Sequence, residues 1–160
     1  LAISLFNAIE RPIRYTPEFP RRVPVSEAEP SNLSNVKVMV IDDSKTIRRT
    51  AETLLNKAGC EVLTATDGFE ALSIIADNHP DLIFVDIMMP RLDGYQVCAL
   101  IKHNVNFRSI PVIMLSSKDS IFDKARGRLV GSEHYLTKPF SREDLFAAIV
   151  AHLPEMTEGA

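Results

Sequence analysis

Short apolar runs alternate along most of this chain with longer segments that are apolar on one face only. Residues 36–41, 61–65, 82–85, 110–115 and 133–137 form strand-length runs bounded by polar, Gly or Pro positions. Such runs are expected of buried strands. The segments between them place apolar residues at helical spacing. The first carries Ile47, Ala51, Leu54, Leu55 and Ala58, the second Ala71, Leu72 and Ile75, the third Val97, Leu100 and Ile101, and the last Leu145, Ile149 and Leu153. A fourth helix, predicted over about 120–130, is weakened by Gly127 in its interior. Ser44 and Ser141 stand where N-caps are wanted, Asp67 and Glu70 have capping-box spacing, and Gly59 and Pro80 stop the first two helices. Five strand–helix units in strict alternation predict an α/β fold. It is a doubly wound (βα)5 arrangement with a five-stranded parallel sheet, helices on both faces and right-handed crossovers.

Residues 1–35 differ in character. Half of the ten prolines fall there, at Pro12, Pro17, Pro20, Pro24 and Pro30, a density that prevents a continuous helix or central strand. Its arginines are offset by glutamates, so it is not a basic arm. The expected organisation is a proline-rich flexible extension over 1–35, one domain over 36–154, and a short tail over 155–160 with no second domain following.

Composition narrows the class. Hydrophobic residues make up 46% and charged residues 24% of the chain, enough apolar material for a core without staples. The net charge of −3 argues against direct DNA binding, which normally requires a strongly basic surface. No apolar run approaches the roughly 20 residues that span a bilayer, so no membrane insertion is expected. Residues 1–9 are apolar but lack a basic leader and a cleavage site, which points to a cytoplasmic protein. Cys60 and Cys98 lie in apolar segments and are expected to be reduced and buried. His79, His103, His134 and His152 show no metal-ligand spacing and are expected at the surface or at helix ends.

The candidate chemistry sits at the carboxyl ends of the predicted strands, where open α/β sheets bind ligands. Strand one ends in Asp42-Asp43, strand three in Asp86, strand four in Ser116 and strand five in Lys138. Taken singly, each has a plain structural explanation: a cap for Asp42 or Asp43, a turn for Ser116, a solvated charge for Lys138. Taken together they converge on one edge of the sheet. Crowded carboxylates repel one another unless a cation lies among them, and carboxylate-plus-water coordination suits Mg2+. Asp86 can serve as a nucleophile, Lys138 as an ammonium for a carboxylate or phosphoryl oxygen, and Ser116 as a hydroxyl donor. Those are the parts phosphoryl transfer requires, with Asp86 becoming an acyl phosphate.

The blocks Val40-Ile41-Asp42-Asp43-Ser44, Val85 through Gly94 (VDIMMPRLDG), Leu115-Ser116-Ser117 and Lys138-Pro139-Phe140 resemble the signature segments of response-regulator receiver domains, over about residues 36–153. The resemblance implies the CheY-like version of the flavodoxin-type fold. It implies Asp86 as phospho-acceptor, and Mg2+ held by Asp43, Asp86 and the backbone carbonyl of Met88, with Asp42 helping through water. Ser116 is then the switch hydroxyl, Tyr135 the switch aromatic and Lys138 the phosphate-contacting lysine, with a cis peptide before Pro139. Within the family, the stretches Asp42 to Arg49 and Met114 to Asp119 are most similar to regulators of chemosensory systems that govern type IV pili and twitching motility. A CheA-like histidine kinase or phosphotransfer domain would then supply the phosphoryl group, and an effector of the pilus machinery would receive the signal. The proline-rich head does not belong to the family pattern.

If Ser116 moves toward a phosphoryl group on Asp86, it vacates space beneath the fourth helix that Tyr135 can enter, so a local charge change biases a two-state element. Ile121, Phe122, Lys124 and Arg128 are the candidate contacts on the resulting face, and an ordinary amphipathic helix explains each equally well. Four rivals stand beside this reading. An enzyme with an aspartyl intermediate would need a second acid two positions after the nucleophile, where Met88 stands. The expected protein is therefore not an enzyme beyond its own phosphoryl transfer. A scaffold that is never phosphorylated would be expected to have lost part of the acidic pair or the lysine. A transcription factor lacks room for a helix-turn-helix module, and a flavodoxin-like cofactor binder lacks a phosphate-cradling loop after strand one. Neither Met88 nor Lys118 can readily orient an attacking water, so self-dephosphorylation is expected to be slow. Following the decay of phosphorylated protein should show a long lifetime that Met88→Asn shortens; fast decay in both proteins contradicts this.

Overall fold

The structure is a computed structural model that describes residues 33–117 and 121–153, without the side chains of 121–123. Strands β1 (Lys37–Ile41), β2 (Glu61–Ala65), β3 (Leu82–Asp86), β4 (Val112–Ser116) and β5 (His134–Thr137) alternate with helices α1 (Lys45–Lys57), α2 (Gly68–Asn78), α3 (Gly94–His103), α4 (Ile121–Leu129) and α5 (Arg142–His152). All strand pairs are parallel, in the order β2-β1-β3-β4-β5. The predicted doubly wound fold is therefore present.

A period of two along the strands builds two cores. Val38, Val40, Leu82, Phe84, Ile113 and Leu115 point to one face and pack with Leu55 of α1 and Leu145 and Ile149 of α5. Met39, Ile41, Ile83, Val85, Val112 and Met114 point to the other and pack with Ile75 of α2 and Val97 and Ile101 of α3. Central strands buried on both faces need continuous apolar runs, which is why β1, β3 and β4 are apolar almost throughout.

Helix starts follow local chemistry. Ser44, Asp67, Asp93 and Ser141 each accept a backbone N–H three residues on. Reciprocal capping boxes occur at Asp93/Gln96 and Ser141/Asp144. The Asp67/Glu70 spacing does not close into one: Glu70 instead accepts from the N–H and hydroxyl of Thr66, one residue earlier. Gly59 ends α1 at φ +94°, and His79 takes the left-handed position before Pro80. Gly127 has a packing reason beyond weakening α4: a Cβ there would lie 2.9 Å from Ser132 Oγ and 3.6 Å from Met114 Cγ, so the glycine lets the helix approach β4 and the loop before β5.

Leu33, assigned from the sequence to the flexible head, is 1% exposed and lies in the α1/α5 core, its N–H donating to Ala58 O. An apolar residue that seals the bottom of β1 belongs to the folded unit, while residues 1–32 lie outside the described part. Leu33→Ala is expected to lower unfolding free energy by about 2–4 kcal/mol. Val105→Ala, at a site 73% exposed, should stay within about 0.5 kcal/mol. Urea denaturation of both variants checks this.

Candidate functional site

The strand order turns back between β1 and β3, and their carboxyl ends open a crevice there. Asp42 and Asp43 follow β1 directly, and Asp86 is the last residue of β3. One carboxylate oxygen from each of the three lies within 4.8 Å of the others. Asp42 and Asp86 are buried, and Asp43 is exposed. Lys138, just after β5, reaches across the sheet: its Nζ is 2.6 Å from Asp42 Oδ2 and 3.0 Å from Asp86 Oδ1. The other Asp42 oxygen, Oδ1, accepts from the N–H of Ser44 at 2.8 Å, and Arg48 of α1 donates to the Asp42 carbonyl at 2.6 Å. The sequence thus identified the acidic set and the lysine, but not Arg48 or the Ser44 N–H, which fix Asp42 in place.

Strand parity divides the functional residues. Asp42, Asp86 and Lys138 continue the parity of Val40, Phe84 and Leu136, toward the α1/α5 face. Ser116 continues that of Met114, and Tyr135 packs against the opposite core. Ser116 is buried, and its carbonyl accepts from Lys138 N–H at 2.6 Å, tying the ends of β4 and β5 together. The Lys138–Pro139 peptide is cis. Tyr135 is half-buried, with Lys124 Nζ 5.5 Å from its ring centre. Lys124 and Arg128 are exposed and line a cavity of about 230 Å3 together with Glu133 and Tyr135. The side chains of Ile121 and Phe122 lie outside the described residues.

The loop after β3 is held close to the acceptor. Met88 N–H faces Asp86 Oδ1 at 3.4 Å, and Gly94 N–H donates to Ile87 O at 3.0 Å. A Cβ on Gly94 would collide with the Asp86 carbonyl, so only glycine lets α3 start this close to Asp86. The contact of Gly94 with Asp86 joins the start of α3 to the end of β3, which only the tertiary structure decides. The Met88 side chain is 74% exposed.

Electrostatics match the crowding. Burial pushes the Asp86 carboxyl up to about 6, the charge of Asp42 adds to this, and hydrogen bonding and charge from Lys138 oppose it. For Lys138, burial works downward, but hydrogen bonds to Asp42 and Asp86 outweigh it and raise the ammonium above its ordinary value. Three oxygen donors with one ammonium among them suit a small hard divalent cation. By their chemistry the three carboxylates fit Mg2+.

The chain belongs to the response regulator receiver domain family, whose model matches residues 38–150. It is 74% identical over 122 residues to Protein PilG of Pseudomonas aeruginosa, covering 76% of this chain and 90% of that protein. It is 43% identical over 117 residues to the probable transcriptional regulator ycf27 of Cyanophora paradoxa, covering 73% of this chain but only 48% of that protein. Among solved structures, the chemotaxis protein CheY4 of Vibrio cholerae superposes with a TM-score of 0.71 at 34% identity, covering 74% of this chain and 98% of that one. The Francisella response regulator 1452 receiver domain does so with a TM-score of 0.69 at 39% identity, covering 76% and 98%. The family and fold expected from the sequence are both present. Among the described residues, no helix is long and apolar enough to cross a membrane.

The raised Asp86 value has a definite sign for stability. An unfolded aspartate titrates near 3.9. Between about pH 4 and 6 the folded protein keeps a proton that the unfolded chain has lost, so Asp86 lowers stability as pH rises through that window and adds no further slope above it. In chelator, Asp86→Asn should gain on the parent protein by about 2–3 kcal/mol from pH 4 to pH 7. Mg2+ at pH 7 should stabilise the parent protein and barely move the variant. Denaturant titrations at the two pH values, with and without Mg2+, give the result.

Proposed function

We propose that this receiver domain accepts a phosphoryl group on Asp86 from a histidine kinase or phosphotransfer protein. The aspartyl phosphate then changes contacts with an effector of type IV pilus-dependent twitching motility. The observation that carries the phosphorylation reading is the three-carboxylate set at the β1/β3 crevice, whose two buried members, Asp42 and Asp86, are bridged by Lys138. The pilus role is supported by the 74% identity to PilG and by the resemblance of the Asp42 to Arg49 stretch to pilus chemosensory regulators.

In the proposed reaction, an Asp86 carboxylate oxygen attacks phosphorus in line. The P–N bond to the donor histidine breaks, and the imidazole leaves with the electron pair. Asp86 is therefore required in its ionised form, which its value of about 6 allows at neutral pH. Mg2+, when bound by Asp43, Asp86 and the Met88 carbonyl with Asp42 reached through water, supplies positive charge against the phosphoryl oxygens. Lys138, which bridges Asp42 and Asp86 in the resting protein, turns one donor to a phosphoryl oxygen. Arg48 and Ser44 keep Asp42 from following it. Ser116 gains an acceptor in the same event. Because Ser116 and Tyr135 share the parity of the face opposite the acceptor, a small inward shift of β4's end frees volume on the side where Tyr135 and α4 lie. Output through α4, β5 and α5, with Lys124 and Arg128 as contacts, follows from that placement. The domain acts as a switch and turns over no separate substrate.

Incubation with acetyl phosphate and Mg2+ followed by intact mass measurement should show a gain of one phosphoryl group. Asp86→Asn and chelator should abolish the gain, and Lys138→Ala should permit phosphorylation but weaken the switch. No gain in a folded sample would leave a scaffold role for this receiver fold.

A further inference from the structure

Beside the acceptor lies a second cavity whose chemistry the phosphoryl-transfer residues do not account for. It has a volume of about 530 Å3 and is bordered by Asp43, Met88, Pro90, Asp93, Tyr95 and Arg126. That is within the range of about 300–1,000 Å3 that holds small ligands. Asp43 belongs to the acidic set, and the N–H of Met88 faces Asp86, so the cavity is bordered by two neighbours of the acceptor. Tyr95, in the first turn of α3, is 5% exposed and packed into the α2/α3 core. Arg126, exposed on α4, places its guanidinium carbon 4.5 Å from the centre of the Tyr95 ring. That is within the reach of a cation–π contact.

The charge balance gives this pair a role. Among the described residues bordering the cavity, two are acids, Asp43 and Asp93, and Arg126 is the one base. Lys138 lies inside the site, held by Asp42 and Asp86. Among the described residues bordering the cavity, an anionic donor approaching Asp86 by this route meets two carboxylates and a single cationic side chain, Arg126. Stacking on a buried ring restricts the guanidinium and presents its planar donors, so less rotamer freedom is lost when they bind phosphoryl oxygens.

We propose that Arg126, positioned by the Tyr95 ring, is the docking cation for the phosphoryl group of an incoming donor and sets a preference for the more negatively charged donor. This rests on Asp86 being the acceptor. With acetyl phosphate, an Asp86 oxygen bonds to phosphorus as the bond from phosphorus to the acetyl oxygen breaks. Acetate leaves with that electron pair, and no redox partner or proton is needed. Arg126 acts before this step, so it contributes to capture of the donor more than to the chemistry.

The test uses the full chain with saturating Mg2+, following phosphorylation against acetyl phosphate concentration by intact mass. Arg126→Gln should raise KM roughly three- to tenfold with kcat little changed. Tyr95→Leu should move KM the same way, while Tyr95→Phe, which keeps the ring, should not. Added salt should raise the parent protein's KM and leave that of Arg126→Gln nearly flat. Phosphoramidate, which carries less negative charge at neutral pH, should be affected less than acetyl phosphate. Circular dichroism confirms that each variant is folded. An unchanged KM and salt dependence in Arg126→Gln, with Asp86→Asn still inactive, overturns the Arg126 assignment and leaves Asp86 as acceptor. A fall in kcat alone, or an equal KM rise for both donors, also overturns it. Failure of the parent protein to be phosphorylated overturns both readings.

Discussion

Asp42 and Asp86 stand on adjacent strand ends, nearly stripped of water, and one ammonium lies between them. Burying two carboxylates a few ångströms apart is unfavourable unless a cation compensates. Lys138 does so from the far side of the sheet, which requires β4 to lie between β3 and β5 and Lys138 to follow β5 immediately. The rest of the molecule can be understood as what brings these groups together. Parallel strands put their carboxyl ends on one edge, the β1/β3 reversal opens a crevice there, and Arg48, Ser44 and Gly94 lock the backbone around the two acids.

Compensation at this site is incomplete. Asp86 remains above its ordinary pKa even with Lys138 in contact, chiefly because it is buried, with the charge of Asp42 adding to this. A site satisfied by its own residues would have little reason to bind metal. The same crowding is the reason a divalent cation is proposed here.

Face parity links the site to its proposed output. The acceptor and its lysine follow the parity of the α1/α5 core. Ser116 follows that of the α2/α3 core, against which Tyr135 packs. In the proposed switch, a group bound at Asp86 that drew in Ser116 would act through the sheet from one core to the other. Gly127 keeps α4 close enough to β4 and the following loop to feel such a shift. Arg126, one residue before it, joins α4 to the Tyr95 ring on α3.

The strands, the helices, the parallel order of the units and the residues ending each strand were legible in the sequence, because periodicity and turn chemistry are local properties. The placement of Asp86, its acidic neighbours, Ser116 and Lys138 was legible too, since strand-end polar residues must converge on one edge of a parallel sheet. Leu33 was misplaced because a lone apolar residue after a proline-rich stretch carries no periodicity; only its contact beneath α1 makes it core. Glu70 could not be paired correctly from spacing, since Thr66 offered two donors at a more favourable position than Asp67 N–H. Arg48 on the Asp42 carbonyl, Gly94 against Asp86, and Arg126 over Tyr95 join residues on separate elements, and no local pattern specifies them. The sequence determined which chemical groups arrive at the sheet's edge; the tertiary structure decided which of them touch, because distance across parallel strands depends on packing and not on position along the chain.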